Sequence, residues 1–306
     1  MSAPLRASGV LDGSLADQLG TASTFLFVPG DRPERFSKAA GAGADFIIID
    51  LEDAVAPEKK SSARQNAEEW LSSGSQAIIR INAAGTVWHP EDLKMASAFG
   101  APVMLPKAED SSYLALLGRE VALLPLIETA SGVLNAAAIC SLPSVVRVAF
   151  GHIDLAAQIG VHPGNAQAFL SARSSLVLAS AAGGIAPPID GVTTALTDTS
   201  VLESDIDHAK SLGMTGKLLI HPAQVDPARS RFLPAEEEVQ WAHSIWLATQ
   251  QTTTVAVDGE MVDQPVITRA RRILARAGVH PVQAHRAEVQ TTPGDVPPNN
   301  REESLP

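Results

Sequence analysis

The sequence contains a single cysteine, Cys140, among its 306 residues. One thiol cannot build a disulfide framework or a cysteine-based zinc site within the chain, and a reducing compartment, here the cytoplasm, is the natural expectation. No apolar run approaches the roughly 18 residues that would indicate a membrane span, and residues 1–23 lack the apolar centre of a secretory signal. We therefore expect a protein that does not associate with membranes.

Positive charge is also scarce, because 23 Lys and Arg residues stand against 34 Asp and Glu residues and leave a net charge of −11. Such an acidic chain is a poor candidate for binding nucleic acid, although local basic clusters can still bind an anionic substrate. The chain lacks the glycine spacing of a nucleotide-binding P-loop. It also has no nucleophile elbow and no credibly spaced Ser/His/Asp set.

Eight short apolar segments, each ending in polar or charged residues, are the main pattern in the chain. Strands that are buried on both faces have continuous apolar sequences of this kind. The intervening segments are mostly long enough for a helix, which predicts a (β/α)8 TIM barrel of about 250 residues with its chemistry at the C-terminal strand ends. The apolar segments are residues 25–31, 46–53, 77–82, 102–109, 121–129, 145–154, 186–192 and 217–222.

The pattern changes after the last apolar segment. Helical sequences cover residues 234–250 and 265–277, and the residues beyond them show no periodicity and are expected to be disordered. We predict four parts: a mobile N-terminal lead-in at 1–23, the barrel at 24–222, a C-terminal helical extension at 223–278, and a disordered tail at 279–306.

Two carboxylates, Glu128 and Asp154, end consecutive apolar segments. Neighbouring strands of a sheet lie about 4.8 Å apart, so these side chains should converge. Two carboxylate ligands that leave room for water and substrate oxygens are typical of Mg²⁺. The alternative, which spacing alone favours, is that each acid caps the helix that follows it.

Arg80 is the only charge in the segment AIIRIN. At a strand end it is placed to hold a substrate carboxylate through two parallel hydrogen bonds, or to pair with Glu52 or Asp53, and the two roles are compatible. Asp50 and Glu52 share one strand face. Acids this close need a metal, water or arginine partner, so Glu52 is a further candidate for substrate contact.

A basic cluster of Arg32, Arg35 and Lys38 follows the first apolar segment. Its spacing places three cations near one helix face beside a helix N-terminus, where a phosphate group can bind. The alternative, which spacing alone favours, is a solvated charged face.

Eight segments resemble, in this order, the citrate lyase β-subunit-like branch of the HpcH/HpaI aldolase superfamily. They are LFVPGDRPERFSKA, FIIIDLEDAV, IIRIN, VMLPKAE, LIETASGVLNA, FGHIDLAAQIG, KLLIHPAQV and DGEMVDQPVITRARRIL. The resemblance covers about residues 24–278. It implies a (β/α)8 barrel that uses Mg²⁺, with Mn²⁺ as a substitute, to cleave a C–C bond in a 3-hydroxy-acyl-CoA. The products would be acetyl-CoA and a 2-oxo acid, and the substrate citramalyl-, citryl- or malyl-CoA.

The resemblance also implies roles for individual residues. Asp263 matches an aspartate that acts as catalytic acid or base in the site of a neighbouring subunit. This implies that the C-terminal extension packs on that subunit in a homotrimer or a hexamer. The alternative for Asp263 is an ordinary helix N-cap. One departure from the family pattern is Ile153, preceded by His152, where many relatives have an acid, and this affects substrate choice. The other matches are Glu128 and Asp154 as metal ligands, Arg80 as the substrate-carboxylate ligand, and Phe27, Arg32 and Lys38 as CoA contacts.

Three other functions remain open at this stage. A malyl-CoA thioesterase can use the same site, and a β-subunit of a multi-subunit citrate lyase would use an acyl-carrier-protein thioester. The third is a non-catalytic barrel that binds acyl-CoA. A metal pair together with a base argues against a binder, because binding alone does not need them.

Overall fold

The computed structural model describes residues 13–196, 198–251, 255–257 and 260–278. The predicted disordered tail at 279–306 and the first twelve residues of the predicted lead-in lie outside the described residues.

Eight parallel strands form a closed barrel in sequence order, which confirms the predicted TIM barrel. Each strand falls within one of the predicted apolar segments or begins one residue before it. The strands are β1 (Thr24–Pro29), β2 (Phe46–Asp50), β3 (Ile78–Arg80), β4 (Val103–Leu105), β5 (Leu123–Ile127), β6 (Ala149–Phe150), β7 (Ile189–Asp190) and β8 (Gly216–Leu219).

Helices surround the barrel and connect its strands. Short 3-10 turns at Pro33–Arg35, Pro57–Lys59, Ala166–Phe169 and Pro222–Gln224 each lead into a helix. The helices are α1 (Gly13–Thr21), α2 (Phe36–Ala40), α3 (Lys60–Ser72), α4 (His89–Ala98), α5 (Ser111–Leu117), α6 (Ala130–Leu134), α7 (Ala136–Cys140), α8 (His152–Ile159), α9 (Leu170–Gly183), α10 (Thr199–Leu212) and α11 (Val225–Phe232).

Local sequence sets the ends of these helices. Asp198 begins α10 by accepting a hydrogen bond from the Ser200 N–H, and Gly213 ends that helix at φ +98. A carboxylate at the N-cap satisfies a free backbone donor, and only glycine adopts the left-handed C-terminal conformation without steric cost. The same logic places Asp110 at the start of α5.

Strand residues alternate between two apolar layers. Ile48, Ile78 and Leu126 face the barrel interior, whereas Ile49 and Ile79 pack against the surrounding helices. Because side chains of a strand alternate in direction, residues two positions beyond an interior residue also face inward. By this rule, polar residues at the strand ends also point into the barrel when they lie two positions beyond an interior apolar residue.

Helix α1 differs from the predicted mobile lead-in. Its Leu19 is fully buried with the interior side chains of β1 and β2. The guanidinium of Arg147, itself fully buried, donates to the carbonyl oxygens of Leu19 (3.2 Å) and Ala22 (2.6 Å). An apolar residue and a distant arginine thus hold residues 13–21 as a helix, and mobility of the lead-in at 1–23 stays a prediction.

The boundary of the C-terminal extension also differs from the prediction at residue 223. Contacts divide the chain into one compact unit that ends at Pro234 and another that begins at Ala235, so α11 belongs to the barrel unit. Val225, Ala228 and Phe232 of α11 are buried in the outer layer of the barrel.

The second unit contains two helices and a hairpin. Helices α12 (Glu236–Gln251) and α13 (Gln264–Arg276) pack on each other, and β9 (Val255–Val257) pairs antiparallel with β10 (Glu260–Val262). Its buried side chains are Ala242, Ile245, Val262, Ala270, Ile273 and Leu274. Among the described residues of both units, no helix has the length and apolar character to cross a membrane.

Candidate active site

Inward-facing side chains from neighbouring strand ends meet at the C-terminal mouth of the barrel. Asp50 and Arg80 end β2 and β3, and Glu128 follows the last residue of β5. Each lies two positions beyond an interior apolar residue, so alternation directs it into the mouth. Active sites of TIM barrels occupy this end.

The mouth contains a cavity of about 430 Å³. Segments that follow β6, β7 and β8 supply an apolar arc, which includes Ile153, Val192 and Ile220. The wall also includes five charged residues. Its charged residues are Asp50, Asp53, Arg80, Glu128 and Asp154.

Arg80 is fixed by Asp50. Its Nε donates to Asp50 Oδ1 at 2.7 Å and its Nη2 to Asp50 Oδ2 at 2.6 Å. The guanidinium also lies 4.8 Å from the centre of the Phe27 ring. Burial by itself lowers the pKa of Arg80, but Asp50 and the acids beside it raise the pKa above its ordinary value. Arg80 is therefore a permanent, oriented cation.

The edge of Arg80 opposite Asp50 remains available for a ligand. Nη1 lies 3.4 Å from Glu52 Oε2 and 3.6 Å from Asp53 Oδ2. Among the described residues, neither contact meets hydrogen-bond geometry, so the Nη1 donors can still reach a carboxylate. Both roles proposed for Arg80 from the sequence thus fit one geometry, with Asp50 as the main partner in place of Glu52 or Asp53.

Glu52 supports the site from behind the cavity wall. It is 6% exposed, is absent from the residues that line the cavity, and accepts a hydrogen bond from Lys107 Nζ at 3.0 Å. Burial raises the pKa of Glu52, although Arg80 and Lys107 oppose this shift. The structure thus places Glu52 against two cations, which differs from the expected substrate contact.

Glu128 and Asp154 lie on the same cavity, as the sequence predicted. Lys107 N–H donates to Glu128 Oε1 at 2.9 Å. Burial, together with the charges of Asp154 and Glu52, raises the pKa of Glu128 to about 8. A cation beside Glu128 would therefore stabilise the ionised form of its carboxyl group.

Neither acid is used as the helix cap that the alternative required. Thr129 caps α6, with its Oγ1 accepting the Gly132 N–H at 3.0 Å. Helix α8 begins after Gly151, and Asp154 lies within its first turn. The cap alternative is wrong for Glu128, whose side chain points into the cavity.

This donor set fits Mg²⁺ better than a softer metal. Oxygen ligands suit hard cations, and Mg²⁺ keeps several waters and few protein ligands. Across the described residues, no three His, Cys, Asp or Glu side chains converge as a complete protein cage. A Cβ atom on Gly151 would lie 2.6 Å from Glu128 Oε2, so glycine keeps the space beside that oxygen free.

A second cavity of about 370 Å³ adjoins the ends of β1 and β8. Phe27 and Ile220 line both cavities, and Arg35 and Lys38 line the second. Arg32 does not line it; its side chain is half exposed and its Nε lies 3.9 Å from Asp31 Oδ1. The basic cluster is thus divided, with Arg35 and Lys38 on the cavity wall and Arg32 outside it, and a CoA contact at Arg32 stays a prediction.

His152 and Ile153 occupy the cavity wall beside Asp154. Burial lowers the pKa of His152 to about 4, and its ring packs against Phe150 and Phe169. A neutral imidazole and an alkyl group therefore flank the carboxylate pair. Arg80 is the only lysine or arginine among the described residues that line this cavity.

Asp263 caps helix α13 in the second unit. Its Oδ1 accepts the Val266 N–H at 3.2 Å, and its side chain is exposed. The N-cap role predicted as an alternative is thus present. One carboxylate oxygen makes the cap, and a catalytic role for this residue stays a prediction.

Sequence reasoning missed two contributions to the site. Asp50 was recognised only as an acid in need of a partner, although its register partner in β3 is Arg80 itself. Lys107 is a charged residue at the end of a predicted strand segment, but no glycine marks its left-handed backbone, so its contact with Glu128 was not predicted. The pairing of Asp50 with Arg80 could be predicted from the sequence, because the two residues end neighbouring strands in the predicted strand order.

Known proteins share this architecture. A family model described as HpcH/HpaI aldolase/citrate lyase matches residues 23–222. A citrate lyase subunit beta-like protein of Mycobacterium tuberculosis is 35% identical over 263 residues, covering 83% of this chain and 95% of that protein. A (3S)-malyl-CoA thioesterase of Cereibacter sphaeroides is 32% identical over 276 residues, covering 86% and 97%.

Solved structures agree with this comparison. A crystal structure of CitE from Mycobacterium tuberculosis, in complex with magnesium, acetoacetate and coenzyme A, superposes with a TM-score of 0.73. It is 34% identical and the match covers 85% of this chain and 99% of that one. With a matching family model over the whole barrel and relatives this similar, the chain belongs to the HpcH/HpaI aldolase/citrate lyase family.

Proposed function

We propose that the protein is a Mg²⁺-dependent lyase that cleaves a 3-hydroxy-acyl-CoA into acetyl-CoA and a 2-oxo acid. The observation that carries this proposal is the pairing, in one cavity, of the Glu128–Asp154 carboxylates with an oriented arginine, Arg80. A metal-binding pair beside a fixed cation suits a substrate with a carboxylate next to a hydroxyl carbon. The relatives named above support the same class of substrate.

Two groups of the chain would hold the substrate. The Nη1 edge of Arg80 would bind the carboxylate with charge-assisted hydrogen bonds, while Glu128 and Asp154 would hold the cation near the substrate hydroxyl. Mg²⁺ bound there supplies Lewis-acid stabilisation of the negative charge that develops on the hydroxyl oxygen. The apolar arc excludes water from the bond that breaks.

The reaction needs two proton transfers. The hydroxyl loses its proton to solvent and becomes the carbonyl group of the 2-oxo acid as the bond to the thioester α-carbon breaks. The electron pair passes to that α-carbon, which then accepts one proton. Asp263 is proposed as the group that delivers this proton. The residue would act in the site of a neighbouring subunit, so the proposal includes a cyclic homotrimer or a dimer of trimers.

CoA would enter through the second cavity. Arg35 and Lys38 provide two positive charges there, and Phe27 lies between that cavity and Arg80. Cations favour the phosphates of CoA, and the shared wall gives the thioester arm a direct route to the metal pair. Arg32 is exposed and would contribute only to the outer end of the CoA site.

The cavity favours a 2-oxo acid with one carboxylate. Arg80 is its only permanently charged cation among the described residues, and Ile153 and Val192 form the wall beside Asp154. A second substrate carboxylate would be desolvated there without a partner, which is costly. The geometry therefore supports citramalyl-CoA or malyl-CoA as substrate in preference to citryl-CoA.

Hydrolysis of malyl-CoA is the second candidate function. The related thioesterase from Cereibacter sphaeroides favours it, and the same metal pair and arginine would bind that substrate. Hydrolysis gives free CoA and malate, whereas C–C cleavage gives acetyl-CoA and glyoxylate.

One experiment separates these functions. Purified protein with Mg²⁺ is incubated separately with citramalyl-, malyl- and citryl-CoA, and the products are measured by mass spectrometry. We expect acetyl-CoA with pyruvate or glyoxylate. Free CoA with an intact hydroxy acid would instead establish the thioesterase, and no turnover of any of the three would contradict both functions.

A further inference from the structure

Lys107 has an unusual backbone conformation for a residue that carries a side chain. Its φ is +51, and every other positive-φ residue in the described part of the chain is glycine. This left-handed region is sterically costly for a residue with a Cβ atom. Such strain tends to be retained at functional sites, and Lys107 lies between β4 and α5 at the mouth of the barrel.

The strain arises from one extra residue in the β4 edge. Val103 N–H donates to the carbonyl of Ala122, and a parallel ladder advances two residues per hydrogen bond on each strand. Lys107 would therefore donate to the carbonyl of Leu126. Ala108 does so instead, at 3.2 Å, which makes Lys107 the displaced residue of a bulge.

The displaced N–H of Lys107 turns to the proposed metal ligand. It donates to Glu128 Oε1 at 2.9 Å, while Glu128 Oε2 faces the space that Gly151 leaves free. One oxygen is thus tied to the backbone and the other is presented to the cavity. Bulges beside active sites commonly redirect groups in this way.

The ammonium group of Lys107 makes a second connection. Nζ donates to Glu52 Oε1 at 3.0 Å, and Glu52 Oε2 lies 3.4 Å from Arg80 Nη1. The Lys107 side chain therefore holds the Glu52 carboxylate, which lies beside Nη1 of Arg80, the group proposed to bind substrate.

We propose that Lys107 is a positioning residue that orients the metal ligand Glu128 through its backbone and the substrate ligand Arg80 through Glu52. This inference rests on the metal role proposed for Glu128. Orientation of ligands by surrounding hydrogen bonds is a general determinant of metal affinity, so the two connections should affect different measurements.

The backbone connection is tested by Mg²⁺ titration calorimetry on the full-length protein without substrate, using Lys107→Gly and Lys107→Val. Both variants lose the ammonium group, but glycine adopts φ +51 freely and valine resists it. We expect the Mg²⁺ dissociation constant of Lys107→Gly to stay within about threefold of wild type, and that of Lys107→Val to rise about tenfold or more. Equal affinities in the two variants overturn the backbone role.

The side-chain connection is tested with Lys107→Met and Lys107→Arg, which have similar backbone preferences and differ in charge. We expect the KM for the acyl-CoA to rise about tenfold in Lys107→Met and to stay within about threefold in Lys107→Arg, because the arginine can still bind Glu52. The same KM in both variants overturns this role.

Thermal melting of each variant checks the fold, and Lys107→Gly should melt above Lys107→Val, because both lose the ammonium group and only glycine relieves the strain. A wild-type protein that binds no Mg²⁺ contradicts the proposed function itself. Binding by wild type with no difference between Lys107→Gly and Lys107→Val contradicts only the inference about Lys107.

Discussion

Arg80 and Asp50 are register partners at the ends of β3 and β2, and two hydrogen bonds of 2.6 and 2.7 Å join their side chains. The ladder that pairs the strands therefore also builds the ion pair. Asp50 is 1% exposed and also accepts the backbone N–H of Glu52 at 2.8 Å. The guanidinium is thus oriented before substrate arrives, which reduces the ordering cost of binding.

Arg80→Lys should strongly reduce turnover. A lysine cannot donate two parallel hydrogen bonds to a carboxylate while it pairs with Asp50, and loss of one partner of a buried charge pair costs about 3–5 kcal/mol. We expect kcat/KM to fall by roughly two to four orders of magnitude. Steady-state kinetics with the active acyl-CoA measures this, and near-normal kcat/KM would contradict the assignment.

Asp50→Asn serves as the matched control for orientation. It keeps the size of the side chain and leaves Arg80 in place, but the amide accepts only one of the two guanidinium hydrogen bonds. We expect a smaller loss of kcat/KM, about tenfold, expressed mainly in KM. A loss as large as that of Arg80→Lys would assign Asp50 a direct part in the chemistry.

Removal of the metal should abolish activity. Treatment with EDTA should inactivate the protein and Mg²⁺ should restore its activity, because the proposed ligands, Glu128 and Asp154, offer hard oxygen atoms without a histidine partner. Asp154→Asn should weaken Mg²⁺ binding by about tenfold or more in calorimetry, with an unchanged circular dichroism spectrum.

Asp53→Asn is the control for the metal prediction, since Asp53 lines the same cavity and its side chain is 61% exposed. Its Mg²⁺ affinity should stay within about threefold of wild type. Full activity in a sample shown to be metal-free would rule out the metal role.

The barrel and the placement of its site could be predicted because both follow from strand periodicity. Apolar runs define the strands, and alternation then directs Arg80 and Glu128 into the mouth. Neither step needs a contact between distant residues. Periodicity locates these residues at the barrel mouth, and the comparison with known families suggests their chemical roles.

Other features depend on contacts that no local pattern encodes. Arg147 reads as one charge in an apolar segment, but its guanidinium binds carbonyl groups 125 and 128 residues away along the chain. The left-handed backbone at Lys107 is not signalled in the sequence, because the position is not a glycine. In both cases a tertiary hydrogen bond decides the conformation, and one sequence does not reveal that bond.

Cys140 should make stability depend on alkaline pH. Burial raises the pKa of its thiol to about 11, whereas the unfolded thiol ionises near 9. The buried neutral thiol therefore contributes its full stabilisation of the folded state below about pH 9, and this contribution is lost as the pH rises towards 11. The difference amounts to about 2–3 kcal/mol in the free energy of unfolding.

Urea unfolding of wild type and Cys140→Ala at pH 8 and pH 10.5 measures this effect. Alanine cannot ionise, so the variant should lose less stability than wild type over this interval. Equal losses in the two proteins would show that the thiol does not titrate with the predicted shift.

Ile153→Lys should change the choice of substrate. A lysine at this position of the cavity wall would offer a partner to the second carboxylate of citryl-CoA, which the wild-type wall lacks. We expect the ratio of kcat/KM for citryl-CoA to that for citramalyl-CoA to rise by about tenfold. Ile153→Met is the neutral control and should leave the ratio unchanged. An unchanged ratio in Ile153→Lys would exclude this wall as the determinant.

Asp263→Asn separates a proton-transfer role from a helix cap. Asparagine caps a helix nearly as well as aspartate, so the stability of the second unit should be retained. If Asp263 delivers the proton, kcat should fall by at least about 100-fold while Mg²⁺ and substrate binding stay near wild type. Calorimetry and steady-state kinetics measure the two effects. Wild-type kcat in Asp263→Asn would leave the residue as a cap alone.

Mixed oligomers test whether Asp263 acts in a neighbouring subunit. Asp263→Asn and Asp154→Asn chains should each be inactive alone, the first for lack of the proton donor and the second for lack of a metal ligand. In a mixture that exchanges subunits, some sites combine an intact metal pair from one chain with an intact Asp263 from another. Activity should therefore recover to a fraction set by the mixing ratio. If labelled subunits demonstrably exchange and no activity returns, Asp263 acts within its own chain or outside the mechanism.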